Sequence, residues 1–400
     1  MSTDSPDPTD GVLDLLVIGG GVMGLFTAYH AARAGDRVAV LERGRVGDPA
    51  TASFGKTRSY RRDYLDATYV RFADEAVRLW GEFEAAEAVS VLVRCGCLNI
   101  ASSAVTPEVE ETYGRVTAGL MNALGMPVST LSGAEVTARY PYLRADVADL
   151  DPVGGLVNLP LVTATLRGAL GEAVVEGVTV TAVEPDGDLV RVVTDGGEAV
   201  ARSVVVTAGH GTNDVLALLP DNVLQVPLTR DRPSEAKYFT PPAPERHLFT
   251  ADAMPVIAYL DTGIYLHPIV PGLVEDVKIG YYNPPDIPRD RTGVTSIADF
   301  VAQVMPGLAA AAVRDVDDVD GCDYDLVADD DFVLGAVPGF ANVFVGVGWR
   351  GTGYKFAPWV GRVLFELARR EGTVYDIGRF DPARFADLAL ETVALEGHPS

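Results

Sequence analysis

The chain has 400 residues, enough for two compact domains, and its 48% hydrophobic share can supply a large core. A formal net charge of −24 argues against nucleic acid and anionic membrane surfaces as partners, and it makes any local basic cluster informative. Only four of the 32 basic residues are lysines: Lys56, Lys237, Lys278 and Lys355. In a chain that otherwise uses arginine, a surviving lysine marks a place where a compact ammonium is not replaced by a guanidinium.

Met1 to Asp10 is polar, acidic and without a basic n-region, so no secretion signal is expected. Three cysteines, Cys95, Cys97 and Cys322, then read as thiols of a cytoplasmic protein rather than a disulfide framework. Cys95 and Cys97 read as strand residues; a C-x-C pair with no third and fourth ligand nearby is poor zinc spacing. The five histidines fall in unrelated segments, so no metal site and no Ser/His/Asp triad is expected. Of them only His267 falls near a pocket, and a core or surface role is expected for it.

Val12 to Glu42 carries the first motif. An apolar strand runs into Gly19-Gly20-Gly21 and Gly24 in the order G-x-G-x-x-G. A helix is predicted over Val22 to Ala34, ended by Gly35, then a second strand ending at Glu42. Gly19 permits the tight turn, Gly21 the approach of backbone to a pyrophosphate, and Gly24 the packing of helix on strand. The helix N-terminus suits phosphate, and Glu42 stands where a carboxylate accepts hydrogen bonds from a ribose. Gly20 and Gly24 also satisfy GxxxG, but Asp14, His30, Arg33, Arg37 and Glu42 interrupt any bilayer-spanning run. The motif announces a dinucleotide without distinguishing NAD from FAD.

Further on, Ser53 to Arg62 (SFGKTRSYRR) concentrates Lys56, Arg58, Arg61 and Arg62. Helices are predicted over Tyr69 to Glu87, Pro107 to Leu124, Pro160 to Gly171 and Ser296 to Met305. Another, Ser132 to Tyr140, carries a capping box of Ser132 with Glu135. Val89 to Ile100 reads as a strand pair. Val178 to Val183, Leu189 to Thr194 and Ala199 to Val206 read as an antiparallel meander, ending in the Gly-rich turn of Gly209 and Gly211. Val223 to Tyr282 reads as a second antiparallel sheet. Cys322 to Leu326, Phe332 to Val337 and Val343 to Val347 return to the core sheet. Gly346 to Arg370 repeats the logic of the first motif, with Gly348, Gly351 and Gly353 before a helix from about Ala357. The expected fold class is α/β (α+β): a discontinuous Rossmann-like domain with an antiparallel-sheet substrate domain inserted twice. The boundaries are 1–88, 150–222 and 321–400 for the first, and 89–149 and 223–320 for the second.

Taken in order, the fingerprint, KTRSYRR, TAGHGTN, KIGYY, CDYDLVADDDF and GWRGTGYKF resemble the monomeric sarcosine oxidase family of D-amino-acid-oxidase-like FAD enzymes, over nearly the whole chain. The resemblance implies FAD held by Gly19, Gly21, Gly24, Glu42, Lys56, Thr57, Gly209, Gly348, Gly351, Gly353 and Lys355, and joined covalently to Cys322. It implies that Arg61 and Lys355 grip a substrate carboxylate, that Arg58 lies near the flavin ring, and that Lys278 promotes reaction of reduced flavin with oxygen. An ammonium there stabilises negative charge developing on oxygen. The activity implied is oxidation of the C–N bond of a secondary or cyclic α-amino acid to an imine, with O2 reduced to H2O2. The enzyme is expected to be a monomer or weak dimer. Departures from the family are Tyr282 and Phe54 where it has histidines, and Trp349 and Arg350 in the glycine turn where it has small residues. They imply a substrate bulkier than sarcosine. The competing readings are a dehydrogenase that passes electrons to another acceptor, and a non-catalytic FAD-binding protein.

Overall fold

The structure is a computed structural model that describes residues 11–105, 111–222, 224–231, 235–281, 296–308, 311–315 and 324–386. Their contacts divide the chain into two units: residues 1–54, 161–231 and 323–400, and residues 55–160 and 232–322.

The first unit is built on Val12–Ile18, a strand buried on both faces and therefore apolar almost throughout. It pairs in parallel with Val38–Glu42 on one side and Glu198–Val206 on the other. Val174–Glu176 adds to Val38–Glu42. The late half of Glu198–Val206 pairs in parallel with Val343–Val347, which pairs antiparallel with Val333–Ala336. Its early half takes the antiparallel meander of Val180–Asp186 and Leu189–Thr194. The helices Val22–Arg33 and Ala357–Ala368 pack on each other so closely that a Cβ on Gly361 would lie 2.5 Å from Phe26 Cβ.

That helix pair contains a titration worth measuring. His30 packs among the rings of Phe26, Tyr29 and Phe365 and donates its Nε2 proton to Pro358 O at 3.1 Å. Desolvation disfavours the imidazolium and lowers its pKa to about 4. The unfolded chain takes up this proton near pH 6.5, so stability is full above that value and falls as pH drops toward 4. The loss amounts to at most about 3 kcal/mol. Thermal melts of native protein and His30→Gln between pH 7 and pH 4 are expected to converge as the pH falls.

The second unit holds a sheet of eight strands. Their order is Ala312–Asp315, Glu235–Thr240, Val277–Tyr281, Ile264–His267, Val256–Tyr259, Cys97–Ala101, Val147–Asp151 and Ser129–Ser132. It is antiparallel except where Val256–Tyr259 runs parallel to Cys97–Ala101. Period-two alternation gives it two unlike faces. Leu98, Ile100, Ile257, Tyr259, Leu266, Val277 and Ile279 all enter one apolar cluster with Phe300 and Val304 of the Ile297–Val304 helix. Their neighbours Cys97, Asn99, Tyr265, His267, Lys278 and Gly280 point to the other face. A three-stranded sheet of Thr57–Tyr60, Gly155–Asn158 and Leu92–Val93 completes the unit.

Several elements differ from the sequence reading. Residues 55–88 and 150–160 fall in the second unit, because Thr57–Tyr60 pairs with Gly155–Asn158 and that strand with Leu92–Val93. Cys95 lies outside a strand: Gly96, at φ +81°, turns the chain, so Leu92–Val93 and Cys97–Ala101 enter different sheets. Among the described residues, Leu228–Asp231 and Tyr324–Val327 pair with each other alone, antiparallel, instead of joining the larger sheets. The helix expected from Pro107 is described over Tyr113–Ala123, with Thr112 as its N-cap. The capping box of Ser132 and Glu135 forms as read. The Met1–Asp10 tail, Tyr282 and Cys322 lie outside the described residues.

Candidate active site

In the first unit the glycine fingerprint forms a cradle. Gly19 sits at φ +111°, and a Cβ there would lie 2.5 Å from Thr207 O. A Cβ on Gly24 would lie 2.1 Å from Gly19 O and 2.6 Å from Thr207 Oγ1, so only glycine lets the helix reach the turn. Gly21 caps the helix without a side-chain hydrogen bond of its own, and the first turn holds no acidic residue. Ser53 Oγ accepts from Val22 N at 3.0 Å. Glu42 ends its strand with Oε2 accepting from Gly20 N and Oε1 from Gly44 N, both at 2.7 Å. These bonds fix the carboxylate while each oxygen keeps a further lone pair.

The second Gly-rich turn follows Glu198–Val206. Gly209 has φ +55°, His210 Nδ1 lies 2.6 Å from Asp325 Oδ1, and Thr212 Oγ1 is buried without a hydrogen-bond partner among the described residues. The third turn carries three left-handed residues in four: Gly348 at φ +84°, Arg350 at +54° and Gly351 at +68°. Gly351 lies on the Tyr324 ring and Gly353 on Trp349, and a Cβ on Gly353 would lie 3.1 Å from Met23 Cε of the fingerprint helix. Arg350 is a non-glycine held at positive φ by its own bonds: NH1 and NH2 donate to Asp330 O and Oδ2 at 2.5 and 2.7 Å, and its backbone N to Asp325 O. Lys355 is buried, and its Nζ donates to Thr352 O at 3.0 Å.

In the second unit the basic loop and the polar face of the eight-stranded sheet meet. Lys278 is only 2% exposed. It stands directly opposite Tyr238 on one neighbouring strand and His267 on the other. His267 is equally buried, and its Nδ1 lies 3.0 Å from Thr57 Oγ1. The Tyr265 ring leans across Gly280, where a Cβ would lie 2.1 Å from it, and lies 5.3 Å from the His267 ring. Lys56 O accepts from Leu159 N, and Arg58 NH1 donates to Thr57 O at 3.1 Å. Arg61 NH1 donates to Asp63 O and Oδ1 at 2.5 and 3.0 Å, with its guanidinium 4.8 Å from the centre of the Tyr64 ring. Arg62 has a different task. It is bound twice by the buried Asp151 and once by the half-exposed Asp74, and these bonds tie the loop to the sheet.

The second unit thus brings Thr57 to the face that holds Lys278, through His267. The first brings Gly19, Gly24 and Gly353 around the fingerprint helix. Tyr238, Tyr265, Asp63 and Asn99 were not singled out from sequence. Alternation was the available signal: Tyr265 and His267 interleave with Ile264 and Leu266, and Asn99 with Leu98 and Ile100. Among the described residues no group of three or more His, Cys, Asp or Glu could hold a metal ion, and no helix is long and apolar enough to cross a membrane.

A parallel-centred sheet with a glycine turn leading into a helix N-terminus defines a dinucleotide-binding protein of the Rossmann-like class. The chain belongs to the FAD dependent oxidoreductase (DAO) family, which it matches over residues 14–367. Human peroxisomal sarcosine oxidase is 29% identical over 398 residues, covering 94% of this chain and 97% of that protein. The N-methyl-L-tryptophan oxidase of Yersinia pestis (strain Pestoides F) is 27% identical over 393 residues, covering 93% and 99%. Among solved structures, the open form of NikD, described as an unusual amino acid oxidase essential for nikkomycin biosynthesis, matches with a TM-score of 0.71 at 25% identity, covering 93% of this chain and 97% of that one. L-proline dehydrogenase from P. horikoshii matches with a TM-score of 0.76 at 19% identity, covering 94% and 98%, a likeness of fold alone. The residues present fit FAD. Gly19 and Gly24 stand where a Cβ would close the cradle, the first turn of the helix holds no acidic residue, and Thr212 Oγ1, beside the second turn, is buried without a hydrogen-bond partner among the described residues.

Proposed function

We propose that the protein is an FAD-dependent amine oxidase that converts the C–N bond of a secondary or cyclic α-amino acid to an imine, with O2 reduced to H2O2. The observation that carries this reading is Lys278. A buried lysine, in a chain with four lysines, stands on the polar face of a sheet whose other face is a continuous apolar cluster. Burying a lysine costs several kcal/mol unless it is paired or hydrogen-bonded, so such a residue is placed where the fold or a site uses it. The names of the relatives, oxidases of sarcosine and N-methyl-L-tryptophan, support the substrate class.

The bound flavin supplies the two-electron acceptor for the C–N bond. Gly19, Gly21, Gly24 and Glu42 hold its adenosine end, with Lys56, Thr57, Gly209, Gly348, Gly351 and Gly353 as further contacts. Cys322 carries the covalent link to the ring, and Arg58 lies near it. Arg61 and Lys355 hold the substrate carboxylate, so the reacting bond is presented in one orientation. Lys278 stabilises the charge that develops on oxygen.

An anaerobic screen of N-methyl and cyclic amino acids, read as bleaching of the flavin colour, tests the reading; a yellow protein that none of them bleaches overturns it. In air, Lys278→Met is expected to slow peroxide formation by at least 100-fold and leave anaerobic bleaching within a few fold, since about 3 kcal/mol is typical for one such electrostatic contact. Turnover without peroxide in the native protein would make it a dehydrogenase. Acid denaturation followed by filtration is expected to leave the yellow colour with the protein, and Cys322→Ser to release it into the filtrate.

A further inference from the structure

A guanidinium that grips a substrate needs its own support, because a free arginine side chain loses about 2 kcal/mol of rotamer entropy when it is fixed. Around Arg61 that support is visible. NH1 is taken twice by Asp63, through the backbone O and Oδ1, and the Tyr64 ring lies under the guanidinium. Asp63 is itself anchored: Asn99 Nδ2 donates to its Oδ2 at 3.2 Å, and the Tyr113 hydroxyl donates to its backbone O at 3.2 Å. Asn99 belongs to the central Cys97–Ala101 strand, paired on both sides, so the chain of contacts ends on a rigid element. Asp63 and Asn99 also line a cavity of about 10 Å3, with Thr117 and Asp149, room for about one water. Asp63 and Asn99 are buried, at 6% and 5% exposed, and Arg61 and Tyr113 are partly buried.

We infer that Asp63, held by Asn99, is a positioning residue that fixes Arg61 in the orientation that receives a carboxylate. The inference rests on the proposed role of Arg61 in substrate binding. It also carries a charge consequence. Asp63 balances Arg61 before any substrate arrives, so a second cation is needed to balance the substrate carboxylate, and Lys355 is the residue proposed for it.

Position and charge make opposite demands, which makes the idea testable. On charge alone, removing Asp63 tightens binding of any anion at Arg61. On positioning, it loosens it. The probe is acetate, titrated into the flavin-loaded protein and followed by the change in flavin absorbance, with a thermal melt for each variant. Asp63→Ala is expected to weaken acetate at least tenfold. Asp63→Asn keeps an oxygen for Arg61 NH1, and the Asn99 amide can turn its Oδ1, buried and unpartnered among the described residues, toward the new amide nitrogen. It is expected to bind acetate within about threefold of native or tighter. Asn99→Ala, which leaves the ion pair in place, is expected to weaken acetate two- to fivefold, and it serves if Asp63→Ala does not fold. Asp63→Ala or Asn99→Ala protein that binds acetate as well as native or better overturns the inference. Arg61→Met that leaves acetate binding unchanged removes instead the reading of Arg61 beneath it.

Discussion

Alanine at Gly24 is expected to give protein that emerges from purification with little or no flavin. The added methyl meets Gly19 O at 2.1 Å, Thr207 Oγ1 at 2.6 Å and Val17 Cγ1 at 3.0 Å. None of these is the loose end of a long side chain. Gly19 O belongs to a turn already at φ +111°, Thr207 Oγ1 is itself within 3.2 Å of Gly19 O, and Val17 is fully buried in the central strand. The helix must therefore shift off the turn, at a cost of about 1–3 kcal/mol or more. The loss of cofactor is the larger effect. A pyrophosphate site made of backbone N–H groups depends on their placement, and a displacement of about 1 Å removes several charge-assisted bonds together. The ratio of flavin to protein absorbance is expected to fall at least tenfold. Gly168→Ala is the counterpart: a Cβ there meets nothing within 4 Å, and the position lies inside the Leu159–Leu170 helix. It is expected to keep full flavin and gain about 0.5–1 kcal/mol.

The contrast between these glycines marks what was legible in the sequence. Gly19 and Gly24 could be read because the turn and the close helix packing depend on neighbours up to five residues away, a spacing that sequence displays directly. The capping box of Ser132 and Glu135 is equally local. The polar face around Lys278 was hidden for the opposite reason. Tyr238, His267, Cys97 and Asn99 share a face with it through strand register, and register links residues from about ten to nearly two hundred positions apart. The pairing of Leu228–Asp231 with Tyr324–Val327 escaped in the same way: each is a four-residue run of mixed polarity, LTRD and YDLV, and nothing in four residues names a partner. Resemblance to a family supplied residue roles that local pattern could not. It did not supply Asp63 or Asn99, whose part follows only from the hydrogen bonds they make.

The other large effect is expected at Arg61. In Arg61→Met, kcat/KM for an amine that carries a carboxylate is expected to fall at least 100-fold, and that for the same amine without the carboxylate to change by less than threefold. Truncating one partner of a buried, hydrogen-bonded charge pair costs about 2–5 kcal/mol, and each 1.4 kcal/mol is tenfold. Arg61→Lys keeps the charge but not the planar fork, so an intermediate loss of roughly tenfold is expected. Stability complicates the measurement, because Arg61 and Asp63 form an ion pair whose side chains are 11% and 8% exposed. Methionine leaves the Asp63 carboxylate buried with Asn99 as its remaining side-chain partner, and breaking such a pair costs about 3–5 kcal/mol. Adding Asp63→Asn removes the stranded charge. The double variant is therefore expected to recover most of the lost thermal stability and none of the lost selectivity for the carboxylate. Recovery of both together would mean that Arg61 served the fold alone, and the carboxylate would have to be held elsewhere.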